Sequence, residues 1–124
     1  KALRYSMIAY WGLPSFNPVV MTCPTLLKMA AWGGANAIGK GDILGAVEEG
    51  RKADVILLNI DQPHLTPTQN LINTIVEAAN GHDVTDSIIN GKIVMKNREV
   101  LTLDEEKVRR EAQIHMEEII KRAY

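Results

Sequence analysis

Few side chains in this 124-residue sequence could carry out chemistry, and the three histidines come first among them. His64 lies in a proline-flanked loop, where it could act as a metal ligand or proton carrier, or could hold the loop by a hydrogen bond. The second role is favoured because lone histidines rarely carry chemistry. His82 follows an Asn-Gly turn and is predicted to be exposed. His115 falls on the apolar stripe of a helix and is predicted to be partly buried.

Cys23 and Asp54 carry the other reactive groups. Cys23 has no histidine placed to activate it, so a role at the start of a helix is favoured over a nucleophile. Asp54 precedes a buried strand and follows Arg51-Lys52, which favours a turn-fixing acceptor over a catalytic acid. No His-x-His, His-Glu-x-x-His or paired Cys is present, so a tetrahedral metal site has no sequence support. We predict no catalytic residue and no metal ligand in this chain; the substrate-binding residues stay unknown.

The composition is that of an ordinary globular domain, with 46% apolar residues, 23% charged residues and a formal net charge of -1. The absence of a basic block predicts no nucleic-acid partner, and the absence of a long apolar run predicts no membrane partner. A single cysteine excludes an intrachain disulfide and indicates the reducing cytoplasm. The sequence does not begin with Met, which indicates part of a longer product.

The chain is organised around residues 45–60. Gly45 and Gly50 punctuate a short charged turn, with Gly50 suited to positive φ. The run Val-Ile-Leu-Leu at residues 55–58 follows, and its length and β-branched content predict a strand covered on both faces.

Two helices are predicted before this stretch. Residues 1–12 are amphipathic, residues 13–18 form a loop, and a second helix begins with Thr22 or Cys23 as its cap and ends at Gly39. The pair Gly33-Gly34 inside the second helix indicates either a close approach of another helix or a tolerated weak point.

The elements after the strand are marked by their caps and turns. Asn70 could cap a helix at residues 71–79, and Asn90-Gly91 is the turn of a β-hairpin. The last helix, at about residues 103–123, opens with a capping box made by Thr102 and Glu105. Its predicted buried stripe consists of Val108, Ala112, His115, Met116 and Ile119.

Five segments together resemble the metal-dependent amidohydrolases. Leu-Gly-Ala-Val-Glu-Glu-Gly-Arg-Lys-Ala-Asp at residues 44–54 is similar to their Ile-Gly-Ser-Leu-Glu-x-Gly-Lys-x-Ala-Asp signature. Residues 27–39 resemble their Met-Ala-Thr-x-x-Gly-Ala-x-Ala-Leu-Gly helix, with Ala31 where Thr is usual. Pro-His-Leu-Thr-Pro at residues 63–67 and the hairpin at 83–94 resemble one branch, the methylthioadenosine/S-adenosylhomocysteine deaminases and s-triazine chlorohydrolases. Leu-Thr-Leu-Asp-Glu-Glu at residues 101–106 resembles the start of the family's final helix. The resemblance covers roughly residues 20–124 in one collinear order.

This resemblance implies an α/β fold: the C-terminal end of a (β/α)8 barrel, part of the small β-sandwich beside it, and a terminal helix. The implied division is residues 1–41 for the last barrel helices, 42–64 for sandwich strands, 65–83 for a loop and helix returning to the barrel, 84–101 for a sandwich hairpin and 102–124 for the C-terminal helix.

The resemblance also implies a parent enzyme, a cytoplasmic hydrolase of non-peptide C–N or C–Cl bonds. Its small-molecule substrate would be purine-nucleoside-like or triazine-like, and its divalent metal, zinc or iron, would be held by ligands outside this chain. The segment itself would be structural and inactive alone, with the missing N-terminal part of the same protein as its partner. Open sheet edges and apolar stripes predict that it either self-associates or is ordered only in the intact enzyme. The alternative is a non-catalytic α/β assembly module.

Overall fold

A computed structural model describes residues 1–15 and 19–123 of the chain. A helical N-terminal part leads into one antiparallel sheet whose four strands lie in the order β1-β2-β3-β4, so the expected mixed α/β class is confirmed. Residues 16–18 of the predicted loop at 13–18, and Tyr124 at the end of the chain, lie outside the described residues.

The N-terminal part contains two helical stretches, as predicted. The first is α1 (Ala2–Met7), which passes into a π-helical turn, Ile8–Gly12. The second consists of α2 (Cys23–Lys28), a π-helical turn (Met29–Gly33) and α3 (Gly34–Ala37).

Both ends of the second stretch follow the sequence signals. The Thr22 side chain accepts a hydrogen bond from the Thr25 N–H at 3.4 Å, which satisfies one of the free amides of the first turn. Gly39 follows the last turn at a φ of +68°, where a residue without Cβ meets no steric penalty.

Gly45 approaches the backbone of this helix closely. A Cβ built on Gly45 would lie 2.7 Å from the Cα of Trp32, and Gly45 also has a φ of +88°. A Cβ on Gly34 would meet nothing within 4 Å, and one on Gly33 would meet only atoms at 3.8 Å. The predicted close helix approach at Gly33-Gly34 is therefore wrong, because the element that packs tightly on the helix is a turn and it arrives at Trp32.

The sheet consists of β1 (Val55–Leu58), β2 (Val84–Ile89), β3 (Lys92–Lys96) and β4 (Glu99–Val100). Asn90 and Gly91 join β2 to β3 with φ of +50° and +76°, which confirms the predicted two-residue hairpin.

β1 lies at one edge of the sheet, where only β2 pairs with it among the described strands. Ile56 is 58% exposed and Leu57 is 51% exposed. The prediction of a strand covered on both faces is therefore wrong, because its composition suits burial but no described element covers it.

The connection from β1 to β2 carries a helix on its way back to the sheet. A 3-10 turn (Pro63–Leu65) leads to α4 (Leu71–Glu77), which packs against α2, and a second 3-10 turn (Gly81–Asp83) leads into β2. The Asn70 side chain accepts a hydrogen bond from the Asn73 N–H at 3.1 Å, which confirms the predicted cap of α4.

The last helix, α5 (Glu105–Ala123), differs from its prediction at its first turn. Its cap is Asp104, whose Oδ1 accepts a hydrogen bond from the Lys107 N–H at 2.9 Å, so the predicted Thr102 and Glu105 box is wrong. Every described residue of α5 is exposed, so the stripe of Val108, Ala112, His115, Met116 and Ile119 is not buried within this chain, which agrees with the expectation that its apolar stripes are open. The stripe has helical spacing, but no described element lies over it.

The buried part of the described chain is small. Its buried apolar residues are Cys23, Ala35 and Leu65, and most of its large apolar side chains are exposed. None of the helices described here combines the length and the apolar character needed to span a membrane.

Candidate functional site

His64 and Asp83 form the best-defined polar pair of the described chain. Nε2 of His64 lies 3.0 Å from Oδ2 of Asp83. The Asp83 side chain is only 3% exposed, whereas that of His64 is 44% exposed. The pair joins the two 3-10 turns that flank α4, so it closes the whole connection between β1 and β2. This geometry agrees with the loop-holding interpretation of His64.

Hydrogen bonds to the Asp83 carboxylate favour its charged form. The backbone N–H of Asn80 donates to Oδ2 at 2.8 Å, and this bond is the first cause that lowers the pKa of Asp83 below its ordinary value. The hydrogen bond from His64 lowers the pKa further, against the opposing effect of burial. Asp83 is therefore a fixed anion at neutral pH, and its role is to hold two turns together.

The exposed side of His64 faces a shallow cavity of about 270 Å³. Thr66, Asn73, Thr74 and Glu77 are among its lining residues. The ring contacts only Asp83 and the Asn80 amide within hydrogen-bond distance among the described residues, so no hydroxyl or thiol is placed for activation. A His–Asp pair without a nucleophile can carry a proton and position a loop.

Glu77 organises a second polar cluster, between α1, α2 and α4. It forms an ion pair with Arg4, accepts a hydrogen bond from the Tyr5 hydroxyl at 2.8 Å and lies 3.6 Å from the Cys23 sulfur. Cys23 is buried at the first residue of α2, as its helix-start interpretation requires. A cavity of about 320 Å³ adjoins the cluster, with Asn73 and Thr22 in its lining.

Asp54 has a structural role as a hydrogen-bond acceptor for the hairpin turn. Its Oδ1 accepts a hydrogen bond from the Asn90 N–H at 2.5 Å, and the neighbouring Ala53 carbonyl accepts one from the Gly91 N–H at 2.9 Å. These two bonds tie the end of the signature segment to the hairpin turn. The predicted acceptor role of Asp54 agrees with this contact.

Arg51 holds the other end of the same turn. Its guanidinium donates to the carbonyls of Gly41 and Leu44 at 2.7 and 3.0 Å, and it pairs with Glu48 at 2.6 Å. Arg51 and Glu48 thus fix the backbone of the turn that contains them.

The two other histidines are placed differently from each other. His82 is exposed, as predicted, and its carbonyl accepts a hydrogen bond from Arg98 at 2.5 Å. The prediction that His115 is partly buried is wrong, because its side chain is 73% exposed on α5. Its Nδ1 lies 3.7 Å from Oε2 of Glu118 on the same helix.

A metal ion does not fit the described residues. No group of three or more His, Cys, Asp or Glu side chains within residues 1–15 and 19–123 is arranged to hold one. His64 and Asp83 are two potential metal ligands that lie side by side. Nε2 of His64 and Oδ2 of Asp83 are at hydrogen-bond distance from each other, which leaves no room for an ion between them.

Sequence reasoning missed Asp83, Glu77 and Arg98. Asn-Gly-His-Asp at residues 80–83 has capping-box spacing, and the structure does show that box, so Asp83 could have been found. No sequence pattern marks Glu77, because its partners Arg4 and Tyr5 lie 73 and 72 positions away in sequence. Arg98 has a φ of +68°, which is unusual for its residue type and is supported by hydrogen bonds to His82 and Val84.

Comparison with known proteins assigns the family. The model of the amidohydrolase family matches residues 3–94, and the chain belongs to this family. It is 46% identical over 94 residues to a 5-methylthioadenosine/S-adenosylhomocysteine deaminase of Desulforamulus reducens, covering 76% of this chain and 22% of that protein. It is 42% identical over 106 residues to a protein of the same name in Acetivibrio thermocellus, covering 86% and 24%. The chain thus spans about a fifth to a quarter of the length of these relatives.

Solved structures agree on the fold. A zinc-bound adenosine deaminase from Xanthomonas campestris superimposes on 95% of this chain with a TM-score of 0.83 and 27% identity, over 27% of its own length. An atrazine chlorohydrolase from Arthrobacter aurescens, complexed with zinc, covers 91% of this chain with a TM-score of 0.77 and 23% identity, which is a likeness of fold alone. Both branches named from the sequence are thus among the similar proteins.

Proposed function

We propose that this chain is the C-terminal portion of a cytoplasmic, metal-dependent amidohydrolase that removes an amino group from a purine-nucleoside-like substrate. The observation that carries the proposal is the identity of 42–46% to two proteins named 5-methylthioadenosine/S-adenosylhomocysteine deaminase. Hydrolysis of a C–Cl bond on a triazine-like substrate is the second candidate, supported by the fold of the atrazine chlorohydrolase.

The proposed role of the chain within that enzyme is structural. Its helices would close a (β/α)8 barrel and its strands would complete a small β-sandwich, in the division 1–41, 42–64, 65–83, 84–101 and 102–124. The signature segment supports this role, because Gly45, Arg51 and Asp54 all fix the backbone. A divalent metal, zinc or iron, would be held by ligands in the preceding part of the protein and would supply an activated water.

A hybrid enzyme tests the proposal. The C-terminal quarter of the Desulforamulus reducens deaminase is replaced by this chain, and loss of the adenine absorbance of 5-methylthioadenosine is followed. We expect turnover and about one equivalent of bound metal in the hybrid. The same relative truncated at the junction serves as the control, and we expect it to be inactive.

The isolated chain provides the complementary test. We expect no stoichiometric zinc or iron binding and no deaminase or chlorohydrolase turnover, because no ligand cluster was found in the described residues. Tight binding of one equivalent, or activity that copurifies with the chain, would contradict the structural role. An inactive, unstable hybrid would favour the alternative of a non-catalytic assembly module.

A further inference from the structure

The side-chain amide of Asn80 lies among groups of the kind that cleave amides in enzymes. The His82 N–H donates to Oδ1 of Asn80 at 2.8 Å, which identifies the oxygen end of the amide. The nitrogen end, Nδ2, lies 3.4 Å from Nε2 of His64. The buried carboxylate of Asp83 lies 3.0 Å from the same Nε2. A donor at the carbonyl oxygen, an imidazole at the nitrogen and a carboxylate beside the imidazole are thus present together.

The position of one proton makes this arrangement unusual for a resting amide. A charged carboxylate only accepts hydrogen bonds, so Nε2 of His64 must carry the proton that lies between it and Asp83. The amide nitrogen of Asn80 is also only a donor, so Nδ2 faces an N–H that it cannot accept. Once the amide carbon is attacked, the same nitrogen becomes an amine with a free lone pair. The surroundings of Asn80 therefore suit the breaking of its amide better than the intact amide.

Gly81 supplies the nucleophile that the His64–Asp83 pair otherwise lacks. Its backbone nitrogen directly follows the Asn80 residue, and a Cβ built on Gly81 would meet nothing within 4 Å. The attacking residue is therefore not crowded by its described neighbours. All of these groups lie within residues 64–83, and their arrangement is independent of the proposed enzyme.

We propose that Asn80 is a self-modification site, at which the chain converts its own asparagine to aspartate. The Gly81 nitrogen forms a bond to Cγ of Asn80 and releases its proton to water, while the His82 N–H stabilises the charge on Oδ1. The Cγ–Nδ2 bond then breaks. The imidazolium form of His64 gives its Nε2 proton to the departing nitrogen, which leaves as ammonia. Water adds to Cγ of the resulting ring, the bond to the Gly81 nitrogen breaks, and aspartate remains at position 80.

The product fits the turn at least as well as asparagine does. Aspartate and asparagine are equally good caps, so one carboxylate oxygen keeps the hydrogen bond from the His82 N–H. The other oxygen accepts from Nε2–H of His64, where the amide presented a second donor. The conversion thus replaces a contact between two donors with a hydrogen bond, and it adds a negative charge beside Asp83.

Peptide mapping by mass spectrometry tests the proposal on the full chain at neutral pH. We expect Asn80 to gain the mass of the amide-to-acid change about tenfold or more faster in the folded chain than in urea, because unfolding removes the imidazole from the amide. The second Asn-Gly step, Asn90-Gly91, is the matched internal reference, since its hydrogen bonds among the described residues involve no histidine. Conversion of Asn80 that is no faster in the folded chain than in urea, or no faster than that of Asn90, would overturn the proposal.

Substitution of His64 tests the proton donor. His64→Gln is expected to slow conversion at Asn80 about tenfold or more and to leave the rate at Asn90 unchanged. His64→Ala with free imidazole in solution separates chemistry from folding, because imidazole that occupies the vacated space should restore part of the Asn80 rate without changing that of Asn90. A folded His64→Ala chain, checked by circular dichroism, whose Asn80 rate does not rise with imidazole would exclude His64 as the donor.

Asn80→Asp tests the fit of the product. Its melting temperature should equal or exceed that of the unaltered chain, whereas Asn80→Leu, which removes the cap, should melt at a lower temperature. The peptide formed by conversion in the folded chain should coelute with the same peptide of Asn80→Asp. A lower melting temperature for Asn80→Asp, or a product that elutes mainly as the isoaspartate isomer, would show that the turn does not favour aspartate.

Discussion

The turn at residues 40–54 and helix α5 show two ways in which a predictable segment can be held. The turn contacts distant parts of the chain, through Gly45 at Trp32 and through Asp54 at the Asn90 amide. Among the described residues, the hydrogen bonds and ion pairs of α5 are local, such as the Lys107–Glu111 pair at 3.8 Å, and every described residue of the helix is exposed. Most of the stability of a helix within a protein comes from packing of its apolar face, so the turn is fixed by the described chain, whereas α5 receives no such packing from it.

The largest expected loss of stability comes from a substitution in the turn at residues 40–54. Gly45→Val adds a side chain that would overlap the Trp32 backbone and also forces a β-branched residue to a φ of +88°. We expect a loss of about 3–5 kcal/mol in the free energy of unfolding, measured by urea denaturation.

Gly50→Val is the control for that substitution. Gly50 has a φ of +85°, but an added Cβ meets nothing within 4 Å, so only the conformational cost of about 1–2 kcal/mol applies. Equal losses for the two variants would mean that the contact with Trp32 does not hold the turn.

The next largest loss of stability is expected from the turn of the hairpin, whose Asn90 N–H donates to Asp54. Replacing Asn90-Gly91 with Val-Val puts β-branched residues at two positive-φ positions, at a cost of about 2–4 kcal/mol. Lys96→Ala, at an exposed position of β3, should change stability by less than about 0.5 kcal/mol. Similar melting temperatures for the two variants would contradict the importance of this turn.

The hydrogen bonds to the Asp83 carboxylate should make the stability of the chain depend on pH. The pKa of Asp83 is lowered in the folded state, so its contribution to stability is present above the unfolded pKa and is lost as pH falls through the folded pKa. We expect the stability of the unaltered chain to decrease from about pH 4 downward. Asp83→Asn should be less stable at pH 7 and should lose this part of the dependence.

His64→Gln distinguishes the contributions of His64 and Asn80 to the lowered pKa of Asp83. The variant keeps the Asn80 hydrogen bond, which is the first cause of the lowered pKa, so part of the acid dependence should remain. A pH profile of Asp83→Asn that parallels the unaltered chain down to pH 2 would show that another group is responsible.

The smallest effect is expected from removing α5 altogether. Deleting residues 105–124 should change the free energy of unfolding of the rest by less than about 0.5 kcal/mol, because the described helix residues are all exposed. Only the helical circular dichroism signal should fall. A loss of several kcal/mol would show that α5 is held as firmly as the turn.

Sequence patterns predicted the local features of this fold because local chemistry determines them. The caps at Thr22 and Asn70 and the turn at Asn90-Gly91 each depend on residues within a few positions. Even α5 was placed almost correctly, since its apolar spacing and end charges are properties of its own residues. Its cap is Asp104, two residues after the predicted Thr102, and its side chain accepts from the Lys107 N–H.

Burial was not predictable in the same way, because it depends on what lies opposite. The apolar spacing of α5 and the composition of β1 both suit a covered face, yet the structure leaves them exposed. The His64–Asp83 pair and the Glu77 cluster join residues 19 and more than 50 positions apart, so spacing alone could not bring them together. Five collinear motifs together indicated the family, which no single contact could have done.

The hydrogen bond from Gly91 to Ala53 also bears on how the protein ages. In Asn-Gly sequences the glycine nitrogen can attack the asparagine side-chain carbonyl, which expels ammonia and leaves a succinimide ring. Water then opens this ring, and the isoaspartate product lengthens the backbone by one methylene. In this hairpin the Gly91 N–H is engaged by the Ala53 carbonyl at 2.9 Å, so the attacking nitrogen is occupied while β1 stays in place. If β1 detached from the hairpin, the Gly91 nitrogen would lose this hydrogen bond and could attack. A transient unfolding event would then cause a permanent chemical change in the turn.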